Sequence, residues 1–414
     1  MKIVSGKKIA AELEKQVNRR ILFSAETERL VSKIVADVRK NGERALRRYA
    51  EKFDGLERKQ AIAVSPEEMT SALESVTPEF RTALEKAAKN IRQFAQWQKP
   101  VEFMREMQPG VMVGQVVRPL ESVGCYVPGG RYPLPSTLLM TVLPAQVAGV
   151  KDIAVASPRP AKETLAAAAL VGVETFYRIG GAQAVAALAY GTESVKSVNK
   201  IVGPGNKFVT TAKKLVAFDC GIDFLAGPTE ALVVSDDGDP KFIAADLLAQ
   251  AEHDPDASVV LVTTSRKLAE RVGAELKAGA KDNPVAKESL KNAVMFVTGS
   301  REQSVEVANA IASEHITIPR DYLGEITSAG SIFVGEYSAQ SLGDYVSGPN
   351  HTLPTGGVAR FRGGLSVMDF LKVITVQEVS REGLRSIGPT VENLAEAEGL
   401  KAHAESVRVR YGNA

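Results

Sequence analysis

Residues 151–214, KDIAVASPRPAKETLAAAALVGVETFYRIGGAQAVAALAYGTESVKSVNKIVGPGNKFVTTAKK, decide the fold class of this 414-residue chain. Short apolar runs at 152–156, 174–179 and 200–202 alternate with helices of small residues that begin near Ala161, at Ala182 and after Gly205. That order is the sign of a parallel sheet covered by helices. The same alternation recurs, with strands at 231–235, 258–263 and 293–297 and helices over 240–252, from Ser265 and from Gln303. Two blocks of like grammar predict a duplicated α/β unit, although no close sequence repeat joins them.

Outside these blocks the pattern changes. Residues 25–53 carry Leu30, Ile34, Val38, Ala45 and Tyr49 broadly on one side of an amphipathic helix. The start signal Ser65-Pro66-Glu67-Glu68 opens a second helical stretch to about Trp97, broken near Pro78. Residues 107–117 read as strand around Pro109-Gly110, and 382–410 as helix with a break at Gly388-Pro389. Gly356-Gly357 and Gly363-Gly364 punctuate the loop region between.

Composition narrows the class. A hydrophobic fraction of 44% and a charged fraction of 24% are ordinary for a globular chain. Fifty-one basic against forty-nine acidic residues leave a net charge of +2, with no basic stripe of the kind that binds nucleic acid. Two cysteines, Cys125 and Cys220, are too few for a disulfide framework or an all-thiolate metal site, so a reduced, cytoplasmic setting is expected. The N-terminus lacks an apolar core of signal-peptide length. The uncharged stretch 132–150 nears the length of a membrane span, but Pro133, Pro135, Pro144 and Gln146 make it a loop followed by a buried helix.

Each of the four histidines has polar neighbours that suit chemistry. In DLLAQAEH, 246–253, Gln250 and His253 are three apart and would share a helix face, either as half of a zinc site or as a polar helix end. Glu314-His315 sets a carboxylate beside an imidazole, one able to activate water and the other to take a proton from an alcohol. Neighbours on a strand point opposite ways, so a shared site there requires irregular backbone. The Gly-, Pro- and Asn-rich loop 343–354 holds Asp344, a hard oxygen for a metal or a turn former, and His351, a candidate for substrate. Glu398 and His403 lie on an otherwise bland C-terminal helix. No HExxH, CxxC, Walker loop or strand–GxGxxG–helix is present. Instead Gly124-Cys-Tyr126-Val-Pro128-Gly129-Gly130, Gly180-Gly181-Ala-Gln183 and Gly203-Pro204-Gly205-Asn206 follow successive strand segments and favour a nucleotide-sized crevice.

Taken together these stretches resemble the histidinol dehydrogenase family over nearly the whole chain. The series runs through FDG at 53–55, VGCYVPGG at 123–130, PST at 135–137, IGGAQAVAALAYGT at 179–192 and KIVGPGNKFVTTAK at 200–213. It continues through GID at 221–223, AGPTE at 226–230, DLLAQAEH, SEH at 313–315, GPNHTLPTGG at 348–357 and AEGLKAH at 397–403. The resemblance implies zinc, or manganese or cobalt in its place, held by Gln250, His253, Asp344 and His403, residues that also border the substrate. It implies His315 as general base and Glu314 as the group that activates water. Thr229, His351 and Glu398 match substrate positions; Tyr126, Gln183 and Asn206 match NAD contacts. Thr229 departs from the serine common at its position but keeps the hydroxyl.

The implied architecture is two Rossmann-like, incomplete and duplicated parallel-sheet domains plus small N- and C-terminal arms, in an interlocked homodimer. On this reading 1–20 is the N-terminal arm, and 21–125 with 230–361 form the larger domain that carries most of the site. Residues 126–229 form an inserted NAD-binding domain, and 362–414 a dimerisation arm that carries Glu398 and His403 to a neighbouring subunit. The implied reaction is oxidation of L-histidinol to L-histidine through an enzyme-held aldehyde, with two NAD and water. Alternatives are a relative that oxidises another polar alcohol such as a sulfonated diol, a zinc-stabilised binding protein without catalysis, and a scheme in which Cys125 traps the aldehyde.

Overall fold

The computed structural model of the chain describes residues 1–18, 24–129 and 132–411. Gly130 of the first glycine turn, residues 19–23 and the last three residues of the C-terminal arm lie outside the described residues.

Two parallel sheets form the body. The first has the strand order Thr175–Tyr177, Asp152–Ala156, Ser122–Tyr126, Lys200–Val202, Gly221–Ile222. The second has the order Lys2–Ser5, Val294–Val297, Ser258–Thr263, Glu230–Val234, His315–Ile318, Ser331–Val334. Each winds outward from an inner strand in one direction and then resumes on that strand's other side. The two thus share one topology, as the repeated alternation predicts. Parallel strands require crossover helices, which cover both faces and leave the strands apolar throughout. Val123 and Val155 accordingly pack into one core, Tyr126 and Ala154 into another. Ala231 and Val233 divide from Leu232 and Val234 in the same way.

The domain boundaries differ from those read on sequence. The amphipathic helices Ala25–Tyr49, Pro66–Ser75 and Pro78–Trp97 were grouped with 230–361, but their apolar sides complete the cores of the first sheet. Val38 and Leu46 join Leu188 and Val209 on one face, while Met69 and Ile91 join Leu138 and Phe176 on the other. A boundary at 125/126 would also cut the strand Ser122–Tyr126. Within 1–20, Lys2–Ser5 is no free arm, because it pairs in parallel with Val294–Val297 as an edge strand. Periodicity marks which side of an element is apolar, but not which sheet that side meets.

A third, antiparallel sheet was not legible in the sequence. The stretch read as one strand around Pro109-Gly110 is a hairpin of Phe103–Gln108 and Val111–Pro119, and Leu371–Val379 pairs with the second of these along all nine of its residues. The C-terminal segment is therefore fastened to its own chain before the helices Arg381–Ala397 and Lys401–Tyr411 begin. Helix continues through Gly388-Pro389, and the break falls instead at 398–400, where Gly399 takes φ +76°. The uncharged stretch gives the buried helix Pro135–Ala148, and no helix among the described residues is long and apolar enough to cross a membrane.

One buried ion pair holds the third glycine turn. The Lys213 and Asp223 side chains are 2% and 0% exposed and bonded to each other. Lys213 Nζ also donates to Gly203 O (3.0 Å), while Gly203 N and Phe224 N donate to the Asp223 carboxylate (2.7 and 2.6 Å). Gly203 has φ +111°, and a Cβ there would stand 2.1 Å from Tyr126 O, so glycine is required. Removing one partner of such a pair strands a buried charge. Asp223→Ala is expected to lower the unfolding free energy by about 3–5 kcal/mol in urea titrations, with much of the loss recovered in Lys213→Met/Asp223→Leu.

Candidate active site

The site candidates gather at the amino edge of the second sheet. His315 is the first residue of His315–Ile318 and stands in register with Ala231, the second residue of the neighbouring strand. The helix Arg301–Ile311 stops at Ala312 in a left-handed conformation (φ +54°), which brings Glu314 to the sheet edge just ahead of regular strand. This irregular entry lets both side chains serve one place: Glu314 Oε2 lies 3.8 Å from His315 Nδ1. The pair is buried, at 7% and 3% exposure, and neither His315 ring nitrogen has a hydrogen-bond partner.

Asp344 is the hub. The sequence places it in a loop; in the structure it lies near the end of the short helix Gln340–Tyr345. Its Oδ1 is 3.4 Å from His315 Nε2, and its Oδ2 accepts from Gln250 Nε2 at 3.2 Å. Its backbone carbonyl lies 2.7 Å from His351 Nδ1. A carbonyl only accepts, so Nδ1 carries the proton and Nε2, 3.2 Å away, accepts from the Thr137 hydroxyl. His351 thus has protein partners on both nitrogens, one of them Thr137 of the PST stretch. Gln250 is buried near the end of Pro240–Ala251, and His253 is exposed in the turn just beyond, so the two are not on one helix as the spacing suggested. His253 is nonetheless near enough to help hold Asp344 ionised.

Electrostatics follow from burial and from this crowding of charge. Burial pushes Glu314 up to about 8 despite the opposing His315 charge and the Glu230 N–H. For His315 burial works downward, but Glu314 and Asp344 outweigh it and the net direction is up. Burial alone would raise Asp344, yet His315 beside it, with His351 and His253 nearby, brings it below the ordinary carboxylate value. Burial lowers His351, which favours the neutral ring that its hydrogen bonds require.

Tyr126, Gln183 and Asn206 stand at the carboxyl edge of the first sheet. Tyr126 Oη accepts from Gly181 N (3.1 Å), and Gln183 Nε2 donates to Asp54 Oδ2 (3.0 Å), which also accepts from Gly180 N (3.0 Å). Asn206 is exposed and caps Lys207–Val216 through Phe208 N and Val209 N. Thr229, half-buried, sits one residue ahead of Glu230. Glu398 and His403 are not brought to the hub within one chain. Both are exposed, Glu398 in the turn between the C-terminal helices and His403 on the second of them, and neither makes a side-chain hydrogen bond or ion pair among the described residues. No group of three or more His, Cys, Asp or Glu side chains poised for a metal occurs among the described residues.

Two carboxylates escaped the sequence reading. Glu230 N donates to Glu314 Oε2 (3.1 Å) while Glu230 Oε1 accepts from Gly356 N (2.9 Å), so one residue joins the acid–base pair to the loop that carries His351. Asp54 fixes the second glycine turn. The only signal for either was an acid in a short glycine-containing stretch, AGPTE for Glu230 and FDG for Asp54. Cys125, by contrast, is fully buried with its thiol pushed up to about 12, which leaves it no thiolate with which to trap an aldehyde.

Two doubly wound sheets, one edged by glycine turns and the other by a buried carboxylate–imidazole pair, define an α/β enzyme of the dehydrogenase type. Residues 17–411 match the family model described as histidinol dehydrogenase. The histidinol dehydrogenase of Methanothermobacter thermautotrophicus is 49% identical over 396 residues, 92% of each chain, and that of Aquifex aeolicus 46% identical over 97% of each. The crystal structure of histidinol dehydrogenase from Elizabethkingia anophelis superposes with a TM-score of 0.95 at 37% identity, covering 99% of this chain and 98% of that one. The chain belongs to the histidinol dehydrogenase family and is an oxidoreductase.

The raised Glu314 value has a consequence for stability. An unfolded glutamate titrates near 4.5 and Glu314 near 8, so the folded form holds a proton that the unfolded form has lost between these values. Stability from this group is fully present below the lower value and is lost as pH rises through the upper one. In metal-free protein, the melting temperature of Glu314→Gln relative to wild type is expected to climb between about pH 5 and pH 9 by calorimetry. A difference independent of pH would contradict the assignment.

Proposed function

We propose that the chain is a zinc-dependent, NAD-linked enzyme that oxidises L-histidinol to L-histidine in the cytoplasm, through an aldehyde it retains. The carrying observation is the buried Glu314–His315 pair against Asp344, with both imidazole nitrogens of His315 close to a carboxylate yet without a well-formed hydrogen bond. A buried polar atom without a partner is costly unless something else meets it. An alcohol oxygen is such a partner.

Gln250, His253 and Asp344 fit the donor chemistry of zinc: an amide, an imidazole and a carboxylate held ionised by its surroundings. A fourth donor, His403, would come from a second copy of the chain, together with Glu398. The apolar residues exposed on the same helices, Leu394 and Val409, support such an assembly. Bound there, the metal would hold the imidazole and amino nitrogens of the substrate and so fix the carbinol in place.

His315 takes the hydroxyl proton, with Asp344 beside it stabilising the imidazolium that results. NAD, seated at the glycine turns, supplies the hydride acceptor for each of the two oxidations. Glu314, once ionised, draws a proton from water, whose oxygen adds to the aldehyde carbon; the hydrate then loses its own proton and hydride. Glu230 positions Glu314 through its N–H, and His351 and Thr229 line the substrate side. Burial of the pair keeps bulk water from competing for the aldehyde.

The deciding measurement is NADH formed per L-histidinol consumed by zinc-loaded protein. Two per substrate is expected, with turnover lost on chelation and reduced at least about a hundredfold in His315→Ala, the usual scale of a general base. Turnover of another polar alcohol but not of histidinol would overturn the substrate and keep the acid–base pair.

A further inference from the structure

The helix that carries Asp344 is short and has no cap of its own. Gln340–Tyr345 spans 6 residues, and its N-cap residue Ala339 offers no side-chain acceptor. The first N–H groups of a helix have no partner within it. Here the Gln340 N–H is met from outside, by Asp246 Oδ1 of the helix Pro240–Ala251 at 3.3 Å. So short a helix is not stable by itself, and its place is set by what its neighbours bind.

The Gln340 side chain supplies a second hold. It is 0% exposed, and its Nε2 donates to Thr317 Oγ1 (3.1 Å) and Leu232 O (3.4 Å). Thr317 lies on the strand that His315 begins, and Leu232 on the strand that Glu230 begins. Gln340 Oε1 has no partner among the described residues. A buried amide oxygen left bare is unfavourable, and an apolar side chain of similar size would fill the place without that penalty. What the amide adds is the pair of bonds made by its NH2 group.

The same elements meet again one helical turn further on. Residues four apart lie on one face of a helix. Asp246 and Gln250 are so placed on one helix, Gln340 and Asp344 on the other. In the first layer Asp246 accepts from Gln340, and Gln340 is bonded to the strand of His315 at Thr317. In the second, Gln250 Nε2 donates to Asp344 Oδ2 (3.2 Å) and His315 Nε2 faces Asp344 Oδ1 (3.4 Å). Burial and the Asp344 charge push the Asp246 carboxyl up to about 6, against the pull of the Gln340 N–H. At neutral pH it is still mostly ionised, with its charge at a helix start, where a negative charge is favoured.

We propose that Asp246 and Gln340 are positioning residues for the metal centre: they fix Gln340–Tyr345 against both strands and so hold Asp344 ready as a ligand. The inference rests on the zinc reading given above and adds to it the groups that set this ligand's position. Both act through Asp344. Groups that orient a ligand in this way govern metal affinity nearly as strongly as the ligands do.

The test is zinc binding to the metal-free, full-length protein, followed by competition with a chromophoric chelator in the absence of substrate. Asp246→Ala and Gln340→Met are each expected to weaken zinc about tenfold, the lower end of the range for such groups. Asp246→Asn keeps an acceptor for the Gln340 N–H and should recover most of that loss. Thr317→Val is nearly isosteric and removes one acceptor of Gln340, so it should weaken zinc by a smaller factor. It decides the question if either larger change prevents folding, and an unchanged midpoint in it would then overturn the proposal. A misfolded fraction would lower the amplitude of the binding curve and leave its midpoint in place, whereas a displaced Asp344 moves the midpoint. The zinc concentration that gives half-maximal turnover of L-histidinol should shift by the same factor. Midpoints within about twofold of wild type in Asp246→Ala and Gln340→Met would overturn the inference and leave the zinc reading standing. A wild type that takes up no zinc would overturn both.

Discussion

Asp344 has to satisfy several nitrogen-bearing side chains with one carboxylate and one carbonyl. Gln250 reaches one carboxylate oxygen, His315 faces the other, and the backbone carbonyl fixes the tautomer of His351. Those partners come from three separate segments, so the position of Asp344 determines where each can stand. The arrangement is costly when left bare, because buried charge is stabilised only by close opposite charge. The cluster reads as a socket in which imidazole, amide and carboxylate side chains converge.

The rest of the fold carries that socket and the glycine turns on different sheets. Both sheets wind alike but are used at opposite edges. The first offers its carboxyl edge, where Asp54 and the Lys213–Asp223 pair hold the turns rigid. The second offers its amino edge, where Glu230 and His315 open adjacent strands. The helix Pro135–Ala148 ties the two together: Thr137 donates to His351, and Asn350 Nδ2 donates to Met140 O at 2.6 Å. A hydride donor and its acceptor must meet within van der Waals distance, and bonds such as these carry the register between the two bodies.

Much of this was legible in the residues. The alternation of strand and helix gave both sheets, because parallel strands buried on two faces leave a plain apolar signal, and Asp152–Ala156, Lys200–Val202 and Ser258–Thr263 fall where expected. The acid–base pair was legible as Glu314-His315, although only the structure supplied the left-handed turn at Ala312 that makes the pair workable. The edge strand Lys2–Ser5 and the long strand Leu371–Val379 were not legible, since each gains its pairing from a segment remote in sequence and carries little period of its own. Glu230 and Asp54 were overlooked for a related reason: a structural carboxylate is defined by the N–H groups it faces, and those belong to other segments. Glu398 and His403 remain exposed in a single chain, and the resemblance alone suggested a use for them.

The edge strand also bears on the order in which the molecule can be completed. Lys2–Ser5 is synthesised long before its partner Val294–Val297, which lies some 290 residues further along the chain. Leu371–Val379 closes on Val111–Pro119, which has waited nearly as long with one side unpaired. The first sheet, whose strands lie close together in sequence, can assemble while synthesis continues; the outer margins of the other two sheets cannot. The nascent chain therefore spends most of its synthesis with open strand edges at both places, the period in which it most needs shielding from its neighbours on the same message.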